Sequence, residues 1–170
     1  MHRGFLAAWL SVRNNVISTL ATWPGKRLFL TGHSLGGALA MLAAADLHIA
    51  AAAQEIAGVY TFGQPRVGNK VFAQMFDMML RDRTFRVVHR ADIVPHVPWL
   101  LGRYRHAGIE CFFDRDGSYR ENPPWLWQTG MEALATWRGW RQYRAVDISD
   151  HFIDSYLRLF QSTAETKEAA

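Results

Sequence analysis

Apolar and polar positions follow two different periods along this chain. Phe5, Leu6, Trp9, Leu10, Val12, Val16, Ile17 and Leu20 recur at the spacing of one helix face, and Pro24-Gly25 ends that helix. Arg27 to Thr31 is a short apolar run after a turn and reads as a strand. Leu35 to Ala53 is rich in Ala and Leu, the composition of a good helix. Gly58 to Phe62 reads as a second strand. Lys70 to Arg81 reads as a helix with Val71, Phe72, Met75, Met78 and Met79 on its apolar side. Phe85 to His89 and Gly108 to Phe113 read as a third and a fourth strand, the last followed by an Asp116-Gly117 turn. Asp150 to Phe160 carries Phe152, Ile153, Tyr156, Leu157 and Phe160 at helical spacing. The stretch from Tyr119 to Tyr143 holds Pro123-Pro124, Trp125, Trp127, Trp137 and Trp140, and is expected to be a partly helical insertion packing its indoles against the sheet.

Strands alternating with helices predict an α/β fold with a mostly parallel sheet flanked by helices. The helix between the second and third strands supplies the crossover that parallel pairing needs. With no repeat and no Gly/Ser linker, residues 1–162 are expected to form a single domain and residues 163–170 a frayed tail.

Composition narrows the function classes. The chain has 170 residues, is 49% hydrophobic and 20% charged, and so falls outside disordered and low-complexity classes. One cysteine, Cys111, excludes an internal disulfide and any cysteine-built zinc site. The longest apolar run, Ala38 to Ala53, is interrupted by Asp46 and His48 and is too short to cross a bilayer comfortably. Met1 to Leu10 reads as folded helix and not as the apolar core of a signal peptide. The net charge of +4 comes from basic residues spread along the chain. Only Arg81, Arg83, Arg86 and Arg90 approach a cluster, so a nucleic-acid groove is not expected.

Chemistry enters at Gly32-His33-Ser34-Leu35-Gly36, a Gly-x-Ser-x-Gly pattern between an expected strand and an expected helix. A serine exposed at such a junction needs a very sharp turn that strains its backbone and crowds its neighbours. Glycines at 32 and 36 relieve the crowding. The helix that follows points free amides and its positive dipole end at the reacting oxygen, which makes the Leu35 amide the expected oxyanion donor.

A serine nucleophile needs a base, and the base needs an orienting acid. In α/β-hydrolases the chain order is Ser, acid, His. Asp92, three residues beyond the third strand, fits the acid, and His151, near the start of the last helix, fits the base. His89 and His96 lie too near Asp92 in sequence to link it to Ser34, His106 comes early, and His33 sits inside the elbow with its side chain directed away from the serine. Asp114 and Asp116 suit a hairpin turn. Asp147 and Asp150 could orient His151, although Asp150 is a better helix N-cap. Ile93, Val94, Val97, Pro98, Trp99, Leu100 and Leu101 follow the acid and read either as an acyl-binding wall or as a packed loop.

At these residues a family resemblance is clear. Gly32 to Ala40 resembles the elbow of the class 3 lipases, the filamentous-fungal triacylglycerol lipase family of the α/β-hydrolase fold. Tyr60 to Asn69 resembles the family's second signature, Val87 to Pro98 its acid loop, Tyr104 to Gly108 the approach to the next strand, and Asp150-His151 its base. The resemblance implies Ser34 as nucleophile, Asp92 as acid and His151 as base of a carboxylic-ester hydrolase needing neither metal nor organic cofactor. Transient contact with a lipid interface is a further expectation. Met1-His2-Arg3-Gly4-Phe5 matches a segment well inside the family's chains. A truncated hydrolase is therefore expected, lacking the lid and the second oxyanion donor and leaving an open apolar strand edge. Triacylglycerol hydrolysis is the first expectation, phospholipase A1, carboxylesterase or feruloyl esterase activity the second, and a catalytically silent lipid- or partner-binding module the third.

Overall fold

The computed structural model describes residues 1–50, 54–89, 92–98, 103–114, 117–124 and 149–168. The helical periodicity near the N-terminus becomes α1 (Arg3–Ala21), which buries Trp9 and lies on α2 (Leu35–Ile49). Asp46, which interrupts the long apolar run, is the polar anchor of that contact. It accepts from Trp9 Nε1 at 3.0 Å and pairs with Arg13, whose hydrogen bond holds the Asp46 carboxyl below the usual carboxylate range. Gln54 Nε2 caps the same region by donating to the carbonyls of Leu20 and Trp23 at 2.6 and 3.2 Å.

Strands β1 (Arg27–His33), β2 (Glu55–Phe62), β3 (Thr84–His89) and β4 (Ile109–Phe113) pair in parallel and in chain order. The helix α3 (Lys70–Leu80), capped by the Asn69 side chain on the Phe72 amide at 3.0 Å, connects β2 to β3. A fifth strand, β5 (Tyr119–Glu121), pairs antiparallel with β4. It falls where an insertion was expected. Its three residues are all exposed, so no buried face marks it in the sequence. The tryptophans from Trp125 to Trp140 lie outside the described residues.

The sheet separates two apolar clusters. Thr61 of β2 is buried on the side of α2, where Gly37 closes on it. The next residue, Phe62, meets Tyr156 and Phe160 of the last helix, α4 (Ile153–Glu168), edge to face at 6.1 and 5.9 Å. Successive strand residues point to opposite faces, so α2 and α4 cover opposite sides. The α2 side buries Trp9, Met41, Leu42, Val59, Phe76 and Leu80. The α4 side buries Val87, Cys111, Phe113, Tyr156 and Leu159.

Two boundaries differ from expectation. The last helix starts at Ile153, not Asp150, and it continues through Glu168, so the stretch expected to fray from Thr163 is helical to that point. Asp150 consequently lies in a 3₁₀ turn, Ser149–His151, and not at the helix cap. Among the described strands β1 stands at the sheet edge with Phe29 57% exposed.

Candidate active site

Ser34 sits between the last residue of β1 and the first of α2 with φ 54° and ψ −123°. A non-glycine residue in this region costs on the order of 1–3 kcal/mol and persists only where its surroundings hold it. Here the Ser34 amide donates to the Phe62 carbonyl at 2.9 Å, and the Ser34 carbonyl accepts from the amides of Gly37 and Ala38 at 3.0 and 3.3 Å. The turn closes because residue 32 lacks a side chain. A Cβ there would lie 2.3 Å from the Gly36 backbone and 2.6 Å from the Gly37 nitrogen. The glycine requirement is asymmetric, however: a Cβ at Gly36 would meet nothing within 4 Å. Crowding therefore falls on Gly32 and not equally on both flanks. Leu35 opens α2, where amides of the first turn have no acceptor within the helix.

Asp92 follows β3 and is 1% exposed. Its Oδ1 accepts from the Val94 amide at 2.9 Å. His151, in the turn before α4, places Nδ1 at 3.0 and 3.1 Å from the two Asp92 oxygens and Nε2 at 2.9 Å from Ser34 Oγ. A carboxylate only accepts, so the imidazole proton belongs on Nδ1, leaving the Nε2 lone pair to receive the Ser34 hydroxyl proton. The three residues singled out from the sequence are thus brought together from up to 117 residues apart, with Ser34 and Asp92 beyond the carboxyl ends of β1 and β3, on either side of β2, where α/β sheets place their sites.

The other histidines occupy different places. His89 is buried in β3, and its amide donates to Tyr156 Oη. His96 lies in the 3₁₀ turn Val94–His96, its carbonyl accepting from Arg66 Nη1 at 2.7 Å. His106 Nε2 donates to the Pro95 carbonyl at 2.6 Å. Burial, reinforced by Arg86, pushes its pKa well below the usual histidine value. Arg66 and His106 therefore pin the loop that carries Ile93, Val94 and Val97, all half-buried beside the acid. Trp99, Leu100 and Leu101 lie outside the described residues, as do Asp116 and Asp147. Asp114 turns the β4–β5 hairpin through backbone bonds with Ser118 and Gly117.

Three contacts at the site escaped the sequence reading. His33 Nε2 meets the His151 carbonyl at 2.6 Å, and its ring lies 4.7 Å from the His151 ring. Gly63 has φ +56°, and a Cβ there would sit 2.7 Å from Asp92 Oδ2 and 3.0 Å from His151 Nδ1. Tyr156 Oη lies 2.6 Å from Asp92 Oδ2. Periodicity marks Tyr156 only as one apolar position among five, and nothing local tells which strand ends Gly63 lies between. Among the described residues no cluster of His, Cys, Asp and Glu could hold a metal ion, and no helix is long and apolar enough to cross a membrane.

Known proteins share this arrangement of sequence and fold. Residues 1–101 match the family described as Lipase (class 3). The secreted mono- and diacylglycerol lipase 1 of Fusarium solani is 38% identical over 118 residues, 67% of this chain and 34% of its own length. The lipase of Rhizomucor miehei is 37% identical over 116 residues, 65% of this chain and 32% of its own. Among solved structures, a triacylglycerol lipase described as having a serine protease triad at its catalytic centre superposes with a TM-score of 0.62 at 35% identity. That likeness covers 71% of this chain and 48% of the other. The lipase of Rhizopus microsporus var. chinensis superposes at 0.56 with 38% identity, covering 65% and 40%. The chain thus spans about a third of the length of the relatives it matches. With the fold of the α/β-hydrolases and a family match over more than half of its residues, this chain belongs to the class 3 lipases.

Proposed function

We propose that this chain carries the nucleophile, base and acid of a serine carboxylic-ester hydrolase acting on acylglycerols. The observation that carries this reading is the unbroken line from Ser34 Oγ through the His151 ring to Asp92, with contacts of 2.9 and 3.0 Å. His151 Nε2 takes the hydroxyl proton as Ser34 Oγ attacks the ester carbonyl. Asp92 holds the Nδ1–H tautomer and balances the imidazolium charge. The Leu35 amide donates to the tetrahedral oxyanion. His151 then protonates the departing alcohol, and water releases the fatty acid by the reverse route. The half-buried Ile93, Val94 and Val97, beside the acid, are assigned to the acyl wall. Leu35 and Phe152, next to nucleophile and base, are 48% and 57% exposed and suit transient contact with a lipid surface. Acylglycerols are the substrate class because the similar proteins are named mono- and diacylglycerol or triacylglycerol lipases.

Hydrolysis of short-chain p-nitrophenyl esters tests the triad. Ser34→Ala and His151→Ala are expected to remove activity on the order of a million-fold, and Asp92→Asn about ten-thousand-fold. Activity that survives Ser34→Ala overturns the nucleophile assignment. A panel varying chain length and head group separates acylglycerols from phospholipids and feruloyl esters. A catalytically silent lipid-binding module is the alternative reading. It predicts that a fluorophosphonate probe leaves Ser34 unlabelled, and labelling with turnover removes it.

A further inference from the structure

We propose that Tyr156 is a positioning residue for the triad acid, its buried hydroxyl donating to Asp92 Oδ2 and locking the carboxylate in the orientation that receives His151 Nδ1–H. The proposal rests on the reading of Ser34, His151 and Asp92 as a triad. A carboxylate at the end of a two-bond side chain turns readily about its terminal bond, whose torsional preferences are broad. In this site each oxygen has its own donor besides His151. Oδ1 accepts from the Val94 amide at 2.9 Å and Oδ2 from Tyr156 Oη at 2.6 Å. The second distance is that of a charge-assisted O–H···O⁻ bond. With both oxygens held, the carboxylate plane is set, and the imidazole meets the two oxygens nearly equally, at 3.0 and 3.1 Å.

The tyrosine is itself fixed from three directions. Its hydroxyl accepts from the His89 amide at the end of β3 at 3.3 Å, which ties the acid's partner to the strand that delivers the acid. Its ring packs edge to face against Phe62, His33 and His89 at 6.1, 5.9 and 5.6 Å. The side chain is 1% exposed. Burial, followed by the neighbouring Asp92 charge, raises the phenol pKa, so the group stays a donor throughout the working range of such an enzyme. Tyr156 also sits one helical turn beyond the His151 turn, so the 3₁₀ turn and the start of α4 bring the base and the brace of the acid from one short segment.

Tyr156→Phe separates this role from mere packing, because it keeps the ring and removes one oxygen. The variant is expected to retain KM on p-nitrophenyl butyrate while kcat and the rate of fluorophosphonate labelling at Ser34 fall about tenfold. In an Asp92→Asn background the same change is expected to have no further effect, since the tyrosine acts only through the carboxylate. Native labelling rates in Tyr156→Phe, or a loss that is additive with Asp92→Asn, overturn the proposal while leaving the triad standing. An unlabelled Ser34 in the native chain overturns the triad and this proposal with it. If Tyr156→Phe does not fold, 3-fluorotyrosine at position 156 keeps ring and hydroxyl and makes the phenol a stronger donor. A changed kcat at constant KM then supports the proposal, and an unchanged kcat overturns it.

Discussion

The two faces of the sheet are built differently. The α2 face is lined by small residues, with Ala38, Ala43, Ala44 and Ala45 buried beside Met41 and Leu42, and it closes around Gly37 and Thr61. The α4 face is aromatic and more open. It packs Tyr156, Phe62 and Phe113, while Phe29 and Tyr60 stay 57% and 39% exposed near the β1 edge. Close packing on the first face forces the strained serine turn, because backbone can approach backbone only where side chains are absent. The second face holds Asp92 and His151 by hydrogen bonds and ring contacts. One face therefore supplies strain and the other alignment, and the two meet at Ser34.

This contrast can be broken first at Gly32. Gly32→Ala places a methyl within 2.3 Å of the Gly36 backbone, so the elbow is expected not to form. The measurable outcomes are loss of ester hydrolysis and of about 3 kcal/mol of stability in denaturant titration. Gly63→Ala strikes the seam between the faces. It leaves the elbow intact but pushes on Asp92 and His151, and steady-state assays are expected to show a roughly 100-fold fall in kcat with fluorophosphonate labelling slowed in parallel. His106→Gln tests the pinned loop through pH. The folded-state pKa of His106 is lowered, so below its unfolded value near 6.5 the unfolded chain binds the extra proton. Native stability should then fall as pH drops from there, by at most about 1.4 kcal/mol per pH unit. Gln keeps a donor for Pro95 without titrating, so the variant's melting temperature is expected to vary less between pH 7 and 5. The smallest effect belongs to Gly36→Ala. With open space at that Cβ and a helical position, stability is expected to change by less than about 1 kcal/mol, in the favourable direction.

Much of this was legible in the sequence. Strand and helix order followed from periodicity, and Ser34 from a pattern that only a sharp strand-to-helix turn explains. Chain order picked out Asp92 and His151, the residues that meet at Ser34. Three kinds of feature were not legible. β5 is too short and too exposed to leave an alternating pattern. The helix boundary at Ile153 depends on a 3₁₀ turn whose residues would equally begin an α-helix. The Gly36 expectation treated crowding as symmetric about the serine, whereas the chain's path brings the Gly36 backbone to Gly32 and leaves Gly36's own Cβ direction open.

The sequence by itself determined the alternation of elements, the order of Ser34, Asp92 and His151 along the chain, and the need for glycine before the serine, because each is written in local spacing and local sterics. Only the tertiary structure decided which groups brace those three. Gly63 follows β2, His33 ends β1 and Tyr156 lies in α4, and they meet because a parallel sheet brings its carboxyl ends together while α4 folds across one face. No residue carries in its own neighbourhood the information that a chain segment 64 residues away will hold its carboxylate in place.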